Sequence, residues 1–164
     1  MKIRDYTTND AEEVGRLIAE TYREFNLAFA APEKIDKYLG PFCHAWSDDV
    51  EHKQAIIQVL ESPTFIITEI DGRIAGILRG REERLASLFV HKDFHRRGIG
   101  RNLVAQFEQE SLVKGVHVIR VAATLYAVPF YLKMGYKKST GLRSGWSFDG
   151  DNFITQPMKK VLTG

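Results

Sequence analysis

The stretch from residue 85 to residue 110 constrains the fold more than any other part of the chain. Its sequence, LASLFVHKDFHRRGIGRNLVAQFEQE, begins with an apolar run, crosses a basic loop and enters a helical pattern at Gly98-Ile99-Gly100-Arg101. The first backbone N–H groups of a helix are unpaired and carry partial positive charge, so a glycine-containing helix start beside arginines suits a diphosphate. The order of strand, loop and helix therefore predicts a site for a phosphate-bearing cofactor.

The segment that follows predicts a parallel pair of strands. Lys114-Gly115 is typical of a helix end, and the apolar run at residues 116–123 predicts another strand. A strand, a helix and a second strand in this order form a crossover, which joins parallel neighbours in a sheet. We therefore expect the strand that begins at Leu85 to run parallel to residues 116–123.

Two other pairs of strands are predicted to run antiparallel. Residues 64–70 and 73–79 flank Asp71-Gly72, and Asp-Gly between two β-rich runs is typical of a tight hairpin. Asp149-Gly150 predicts a second hairpin turn of the same kind near the end of the chain. We therefore expect a mixed α/β (α+β) fold with a mainly antiparallel sheet, one parallel pair and about four flanking helices.

Three of the helices are predicted from local patterns outside the 85–110 stretch. The first runs from Asn9, as its N-cap, to about Phe25. The second runs from about Asp48 to Leu60, with Ser47 as its cap. A short one between Tyr126 and Met134 ends at Gly135, which suits the position just after a helix.

The stretch from Asn26 to Ser47 has no clear period and leaves two interpretations open. Its scattered aromatic residues either fill or cover the core, which is the usual role of buried aromatics, or wall a substrate pocket. The acidic residues Asp48, Asp49 and Glu51 either stabilise a helix start through the macrodipole or attract a cationic amine. The sequence does not choose between these interpretations.

Composition predicts one soluble domain and argues against two classes of partner. The 164 residues, 44% of them hydrophobic, suffice for one core, so we expect one domain spanning residues 1–164. With 23 Lys and Arg against 21 Asp and Glu, the net charge of +2 predicts neither nucleic-acid nor membrane binding. The N-terminus lacks an apolar signal-peptide core, no run approaches the ~20 apolar residues of a membrane span, and Cys43 is the only cysteine. We therefore expect a cytoplasmic protein.

The glycine-containing loop does not fit two common nucleotide motifs. A P-loop requires Lys and then Ser or Thr after its last glycine, whereas Gly100 is followed by Arg101-Asn102. A dinucleotide fingerprint requires a third glycine, and Leu103 stands at that position. The remaining readings are a different anion site and a plain turn whose arginines are solvated.

Two segments together resemble the GCN5-related N-acetyltransferases (GNAT). The run from His95 to Gly100 resembles the family's Arg/Gln-x-x-Gly-x-Gly/Ala signature, and Leu88-Phe89-Val90 resembles the strand before it. The run from Tyr126 to Tyr136 resembles the family's second cofactor segment, in the right order and spacing. The resemblance covers nearly the whole chain and is closest to small bacterial members. It implies a GNAT-like sheet in which two parallel strands splay apart.

The resemblance also implies a cofactor and an activity. It implies an N-acetyltransferase that moves an acetyl group from acetyl-coenzyme A to an amine acceptor by direct attack in a ternary complex, with no metal and with a homodimer left open. The amides of residues 96–101 would hold the pyrophosphate, and the backbone of Phe89 and Val90 would pair with the pantetheine arm. The cofactor-binding residues implied in this way are Leu88, Phe89, Val90, His95, Arg96, Arg97, Gly98, Ile99, Gly100, Arg101, Thr124 and Tyr131.

Tyr131 is the candidate general acid that the resemblance implies. A phenol with a pKa of about 10 stays protonated at neutral pH and can give a proton to a departing thiolate with a pKa of about 8.5. The competing interpretation is a core tyrosine whose hydroxyl is satisfied by the protein. The five histidines have no metal-ligand spacing, so we expect no metal site.

Three positions depart from the family pattern. His95 stands where the signature prefers Gln or Arg, and Thr124 stands where many members carry Asn. Arg84 stands about where several relatives place a glutamate base. Without an evident base, the alternative function is a non-catalytic acyl-coenzyme A sensing or interaction module. The candidates for the base are Glu69, Glu82, Glu83 and a chain of water molecules.

Overall fold

Eight strands and five α-helices form the protein, and the computed structural model describes residues 1–164. The longest helix has 15 residues, and none combines the length and apolar character of a membrane span. The strands are β1 (Lys2–Asp5), β2 (Thr64–Ile70), β3 (Arg73–Arg81), β4 (Arg84–Val90), β5 (Val118–Thr124), β6 (Lys137–Lys138), β7 (Arg143–Ser147) and β8 (Gly150–Val161). The helices are α1 (Ala11–Thr21), α2 (Ile35–Leu39), α3 (Val50–Leu60), α4 (Ile99–Val113) and α5 (Val128–Lys133).

All eight strands belong to one sheet. Their order is β1-β2-β3-β4-β5-β8-β6, and β7 pairs with β8 outside this row. All pairs are antiparallel except β4 with β5, which confirms the predicted mixed α/β class. Successive strand residues enter opposite faces, so Ile67 packs with α1 and α3 while Ile66 packs with α4. The sheet therefore separates two apolar cores.

Asp71 and Gly72 form the turn between β2 and β3, as the sequence predicted. Their φ angles of 50° and 75° are those of a primed two-residue turn, in which the two central positions need positive φ. Ile67 lies opposite Ile77 in the resulting antiparallel pair. The hairpin therefore aligns the apolar faces of both strands with the same core.

β4 and β5 are the predicted parallel pair, but they remain paired for only two residues. Arg84 lies opposite Arg120. Leu85 lies opposite Val121, and no pair follows it. The register of β3 against β4 also shifts at the same height of the sheet, because Arg79 pairs with Ser87 but Gly80 pairs with Leu85. β4 therefore diverges from β5 after Leu85 and opens a gap in the middle of the sheet.

Two helical segments are capped by other residues than predicted. The first begins with a short 3₁₀ turn in which the N–H of Thr7 donates to Asp10 Oδ2 (2.9 Å), so Asn9 is not the cap. α3 is capped by Asp49, whose carboxylate accepts two N–H bonds of the first turn, rather than by Ser47. At α3 a carboxylate is available, and it is a stronger acceptor than the hydroxyl of Ser47. The first segment instead begins at Thr7, which precedes the 3₁₀ turn.

The C-terminal hairpin turns one residue earlier than predicted. Ser147 pairs with Gly150, so Phe148 and Asp149 form the turn, and Phe148 has a φ of 52°. Gly150 has a different role, because a Cβ at this position would collide with the ring of Tyr38. This glycine therefore permits the close approach of α2 to the start of β8.

The irregular stretch from Asn26 to Ser47 contains one short helix, α2. At the start of this stretch, α1 continues into a π-helical segment, Tyr22–Asn26. The sequence predicted ordinary helix to about Phe25. Widened turns of this kind are frequent at functional sites. This segment lies beside the gap between β4 and β5, because Tyr22 packs edge-on against Phe89 at 5.5 Å.

Candidate functional site

Two cavities meet at the gap between β4 and β5. One, of about 310 Å³, lies between the separated strands next to α1 and β7, and we call it the strand cavity. The other, of about 760 Å³, lies beside the start of α4, and we call it the loop cavity. The residues that line both cavities are Asn26, Leu88, Phe89, Ala127 and Tyr131.

The start of α4 has unpaired N–H groups at the place where the sequence predicts an anion site. The first hydrogen bond within this helix joins the N–H of Asn102 to the O of Gly98 (3.0 Å), so the four N–H groups of residues 98–101 have no helical partner. These four residues line the loop cavity. Gly98 has a φ of 76°, and a Cβ there would meet no atom within 4 Å. The unpaired N–H groups therefore belong to residues that border the loop cavity, which suits a diphosphate.

The loop before α4 is held by its side chains. His95 Nε2 lies 2.8 Å from the carbonyl oxygen of Val90, so its N–H donates to that oxygen. Arg96 has a φ of 63° and lines the loop cavity together with Arg101. Arg97 lines neither cavity, and its guanidinium lies 5.2 Å from the ring centre of Phe94. Ten of the twelve predicted cofactor residues therefore line the loop cavity, and Thr124 lines only the strand cavity.

The backbone of β4 offers hydrogen-bonding groups to the gap. The N–H of His91 donates to the carbonyl of Ala75 on β3 (2.8 Å). Because antiparallel bonding alternates every second residue, the backbone of Phe89 also faces β3, and that of Leu88 and Val90 faces the gap. The sequence assigned this role to Phe89 and Val90, whereas the alternation favours Leu88 in place of Phe89.

Tyr131 lies where the two cavities join. Its side chain is only 4% exposed, and burial raises the pKa of its hydroxyl well above the usual value of 10. No hydrogen bond within the protein involves this hydroxyl, and its ring packs edge-on against Phe130 and Tyr136. The phenol therefore stays protonated at neutral pH, with its proton free to be donated into the cavities.

Asn26 joins the two sides of the strand cavity, and the sequence did not predict it. Its Nδ2 donates to Oγ1 of Thr124 at 2.7 Å, across 98 residues of chain. The π-helical segment positions Asn26, and the end of β5 positions Thr124. Nothing in the local sequence around Asn26 distinguishes it, because its partner is determined only by the folded chain.

A chain of buried hydroxyl groups forms another part of the strand cavity. The hydroxyl of Tyr22 lies 2.5 Å from Oγ of Ser147, which donates to the backbone carbonyl of Tyr38 at 2.9 Å. Burial raises the pKa of Tyr22 to about 12, so it is protonated at neutral pH. The sequence did not predict these residues, and Tyr22 and Ser147 are 125 residues apart.

The candidate bases do not lie at the gap. Glu69 forms an ion pair with Arg4 (2.8 Å), and Glu82 and Glu83 are exposed between β3 and β4. None of these three glutamates lines either cavity. Arg79 is the only charged residue that lines the strand cavity, which contains no Asp, Glu, His or Lys. No group of three or more His, Cys, Asp or Glu is placed to hold a metal ion.

The Asn26–Ser47 stretch places aromatic residues in the core and at the wall of the strand cavity. Tyr38 and Phe42 are buried in the core beneath α1, and Phe42 also lines the strand cavity. The acidic residues at the start of α3 line neither cavity, and Asp49 caps the helix. This stretch therefore supplies apolar wall but no carboxylate to the site.

β4 and β5, the central parallel pair, separate beside the start of α4, whose unpaired N–H groups border the loop cavity. The sequence profile of the acetyltransferase (GNAT) domain matches residues 18–162, so the chain belongs to the GNAT family. No curated protein matches the sequence.

Solved structures agree with this fold. The GCN5-related N-acetyltransferase of Rhodopseudomonas palustris superposes with a TM-score of 0.80 at 20% identity, over 98% of this chain and 95% of its own. PaiA N-acetyltransferase of Thermoplasma acidophilum, solved with coenzyme A, gives 0.65 at 17% identity over 98% of both chains. YncA of Salmonella typhimurium, solved with acetyl-CoA, gives 0.63 at 17% identity over 100% of this chain and 95% of its own. At these identities the likeness establishes the fold.

Proposed function

We propose that the protein is an N-acetyltransferase that moves the acetyl group of acetyl-coenzyme A to an amine by direct attack in a ternary complex. The observation that carries this proposal is that Tyr131 lines both cavities and that its hydroxyl has no partner within the protein. A donor bound in the loop cavity and an acceptor bound in the strand cavity would meet at this hydroxyl. Such positioning removes much of the entropic barrier to a reaction of two molecules.

The loop cavity fits coenzyme A in its chemistry. The unpaired N–H groups of residues 98–101 and the side chains of Arg96 and Arg101 would hold the pyrophosphate. The backbone groups of Leu88 and Val90 that face the gap would pair with the amide-containing arm. Acetyl-coenzyme A supplies an activated acetyl group as a thioester. Among the similar structures, PaiA contains coenzyme A and YncA contains acetyl-CoA.

The transfer requires one proton donor on the sulfur side. The nitrogen lone pair of the amine forms a C–N bond with the thioester carbonyl carbon, and the C–S bond breaks. Tyr131 gives its proton to the departing sulfur and regains one from solvent. A backbone N–H of β4 that faces the gap would donate to the carbonyl oxygen as negative charge develops there.

The amine proton has no acceptor side chain in the strand cavity. Because no carboxylate or histidine lines this cavity, we propose that the acceptor reacts as the neutral amine and that water removes the N–H proton after attack. This assignment replaces Glu69 and Glu83 as candidates for the base. A cytoplasmic location and the assembly state remain predictions.

The same lack of a base favours one second candidate function, a non-catalytic module that senses acyl-coenzyme A. Calorimetry with coenzyme A, followed by release of free thiol from acetyl-coenzyme A across a broad amine panel, separates the two. The enzyme reading predicts saturable binding and amine-dependent thiol release. Binding without thiol release for any amine would favour the sensor, and absence of binding would contradict both.

A further inference from the structure

One charged side chain lies in the strand cavity without a charged partner. Arg79, on β3, lines this cavity, and none of the ion pairs of the protein includes it. We propose that the amine acceptor carries a carboxylate and that Arg79 binds this carboxylate. The inference rests on the proposed acetyltransferase function and names the chemical class of its acceptor.

The guanidinium of Arg79 is only partly satisfied by the protein. Its Nη1 donates to the carbonyl of Val59 at 2.6 Å, and its Nη2 donates to Oγ of Ser87 at 3.1 Å. Its Nε is buried and has no partner. A guanidinium has five N–H donors, and the protein uses two of those of Arg79. No anion of the protein compensates its charge.

A half-buried arginine keeps its charge, so an anion is the partner that this site lacks. Burial lowers the pKa of Arg79, but arginine titrates so high that it remains protonated at neutral pH. An unpaired charge that is partly removed from water is unfavourable, and a carboxylate that enters with the substrate relieves this cost. The planar guanidinium matches a carboxylate in shape and can donate two parallel hydrogen bonds to it.

The rest of the strand cavity argues against a polycationic acceptor. It contains no Asp or Glu to pair with additional ammonium groups, and its one charge is positive. Its walls are mostly apolar, and Trp146, 73% exposed, lies among them. Its volume of about 310 Å³ is at the lower end of ligand pockets. The cavity therefore suits a small amine with one carboxylate and an apolar part.

The carboxylate end and the reacting end of such an acceptor would lie close together. Ser87 lies opposite Arg79 and shares a hydrogen bond with it. Leu88, whose backbone faces the gap, is the next residue along β4. Successive strand residues are about 3.3 Å apart, so a molecule of amino-acid size connects the guanidinium with the gap.

Matched acceptor pairs test this inference on the unmodified protein. Each pair consists of an amino acid and its carboxamide, with the spacing between amine and carboxylate varied from α-amino to ω-amino acids. Thiol release is measured at equal concentrations of the neutral amine form. We expect a kcat/KM about 100-fold higher for the carboxylate member of the best pair, the worth of a charge-assisted hydrogen-bonded pair. Equal rates, or faster rates for carboxamides or polyamines, would overturn the inference while leaving the acetyltransferase proposal intact.

Variants of Arg79 test which residue provides the preference. Arg79→Met should raise KM for the carboxylate acceptor about 100-fold while changing KM for its carboxamide less than about threefold. Arg79→Lys should retain part of the preference, and Arg81→Met, at an exposed position of the same strand, should retain all of it. Unchanged coenzyme A affinity shows that each variant is folded. Carboxylate preference that survives Arg79→Met would overturn the assignment to Arg79. If wild-type protein binds coenzyme A but acetylates no amine, the acetyltransferase proposal itself fails.

Discussion

The loop cavity and the strand cavity meet at Tyr131, yet they are built differently. The proposed anion site of the loop cavity consists mainly of backbone N–H groups from one continuous run, residues 98–101, with the side chains of Arg96 and Arg101 beside them. The strand cavity consists of side chains from distant parts of the chain, among them Tyr22, Arg79 and Ser147. A site made of backbone groups keeps its ligand when side chains are substituted. A site made of side chains binds a different ligand when those side chains are substituted. We therefore expect the loop cavity to determine the donor and the strand cavity to determine the acceptor.

The largest effect is expected at the residue that the two cavities share. Tyr131→Phe removes the proton donor and leaves the ring, so kcat should fall about 10²–10⁴-fold with little change in coenzyme A affinity. Thiol release and calorimetry measure the two quantities. The matched control is Tyr136→Phe, which loses a hydrogen bond to Glu108 and should lower stability while leaving kcat nearly unchanged. Joint loss of kcat and coenzyme A affinity in Tyr131→Phe would indicate a structural tyrosine.

A negative charge at the start of α4 should affect the loop cavity alone. Gly100→Asp places a carboxylate near the pyrophosphate site, and like charges about 4 Å apart repel by about 4 kcal/mol at an effective dielectric constant of about 20. The Kd for coenzyme A should therefore rise about 10³-fold. An acidic residue in the first turn favours the helix itself, so the fold should be retained. Gly141→Asp, at an open position, should leave the Kd unchanged. A small change in Gly100→Asp would contradict the backbone anion site.

A smaller effect is expected from the hydroxyl chain of the strand cavity. Ser147→Ala leaves the hydroxyl of Tyr22 without a partner, which should lower the free energy of unfolding by about 1–3 kcal/mol. The KM for the acceptor should rise about tenfold, and the Kd for coenzyme A should not change. Denaturation and steady-state kinetics measure these quantities. Ser144→Ala, at an exposed position, is the control, and a changed coenzyme A affinity in Ser147→Ala would contradict the separation of the two cavities.

The smallest effect is expected from alkaline pH. Burial raises the pKa of both Tyr131 and Tyr22, so each phenol binds its proton more tightly in the folded protein and stays protonated below about pH 10. The pH profile of kcat/KM should rise as the acceptor amine loses its proton and then stay level to about pH 9.5. Acceptors with different amine pKa values should shift the rise accordingly. A rise fixed at one pH for all acceptors would indicate a protein base instead.

Much of the fold was predictable because its signals are local. Asp71-Gly72 determines a hairpin turn through its own backbone preferences, and the order of strand, helix and strand determines the parallel pair. The second Asp-Gly was misleading, because Gly150 is needed for packing against Tyr38 rather than for the turn. A glycine in a turn and a glycine under an aromatic ring have the same local sequence pattern. Only the position of α2 distinguishes them.

The sequence by itself predicted the proposed anion site, since a helix start needs only its own backbone and the glycines beside it. It also indicated Tyr131 through the resemblance of its segment to the GNAT family. Only the tertiary structure decided what lies on the other side of the gap. The bond from Asn26 to Thr124, the contact of Tyr22 with Ser147 and the unpaired charge of Arg79 depend on residues brought together from distant parts of the chain. The physical reason is that side-chain partners follow from the packing of helices on the sheet, which no short pattern encodes.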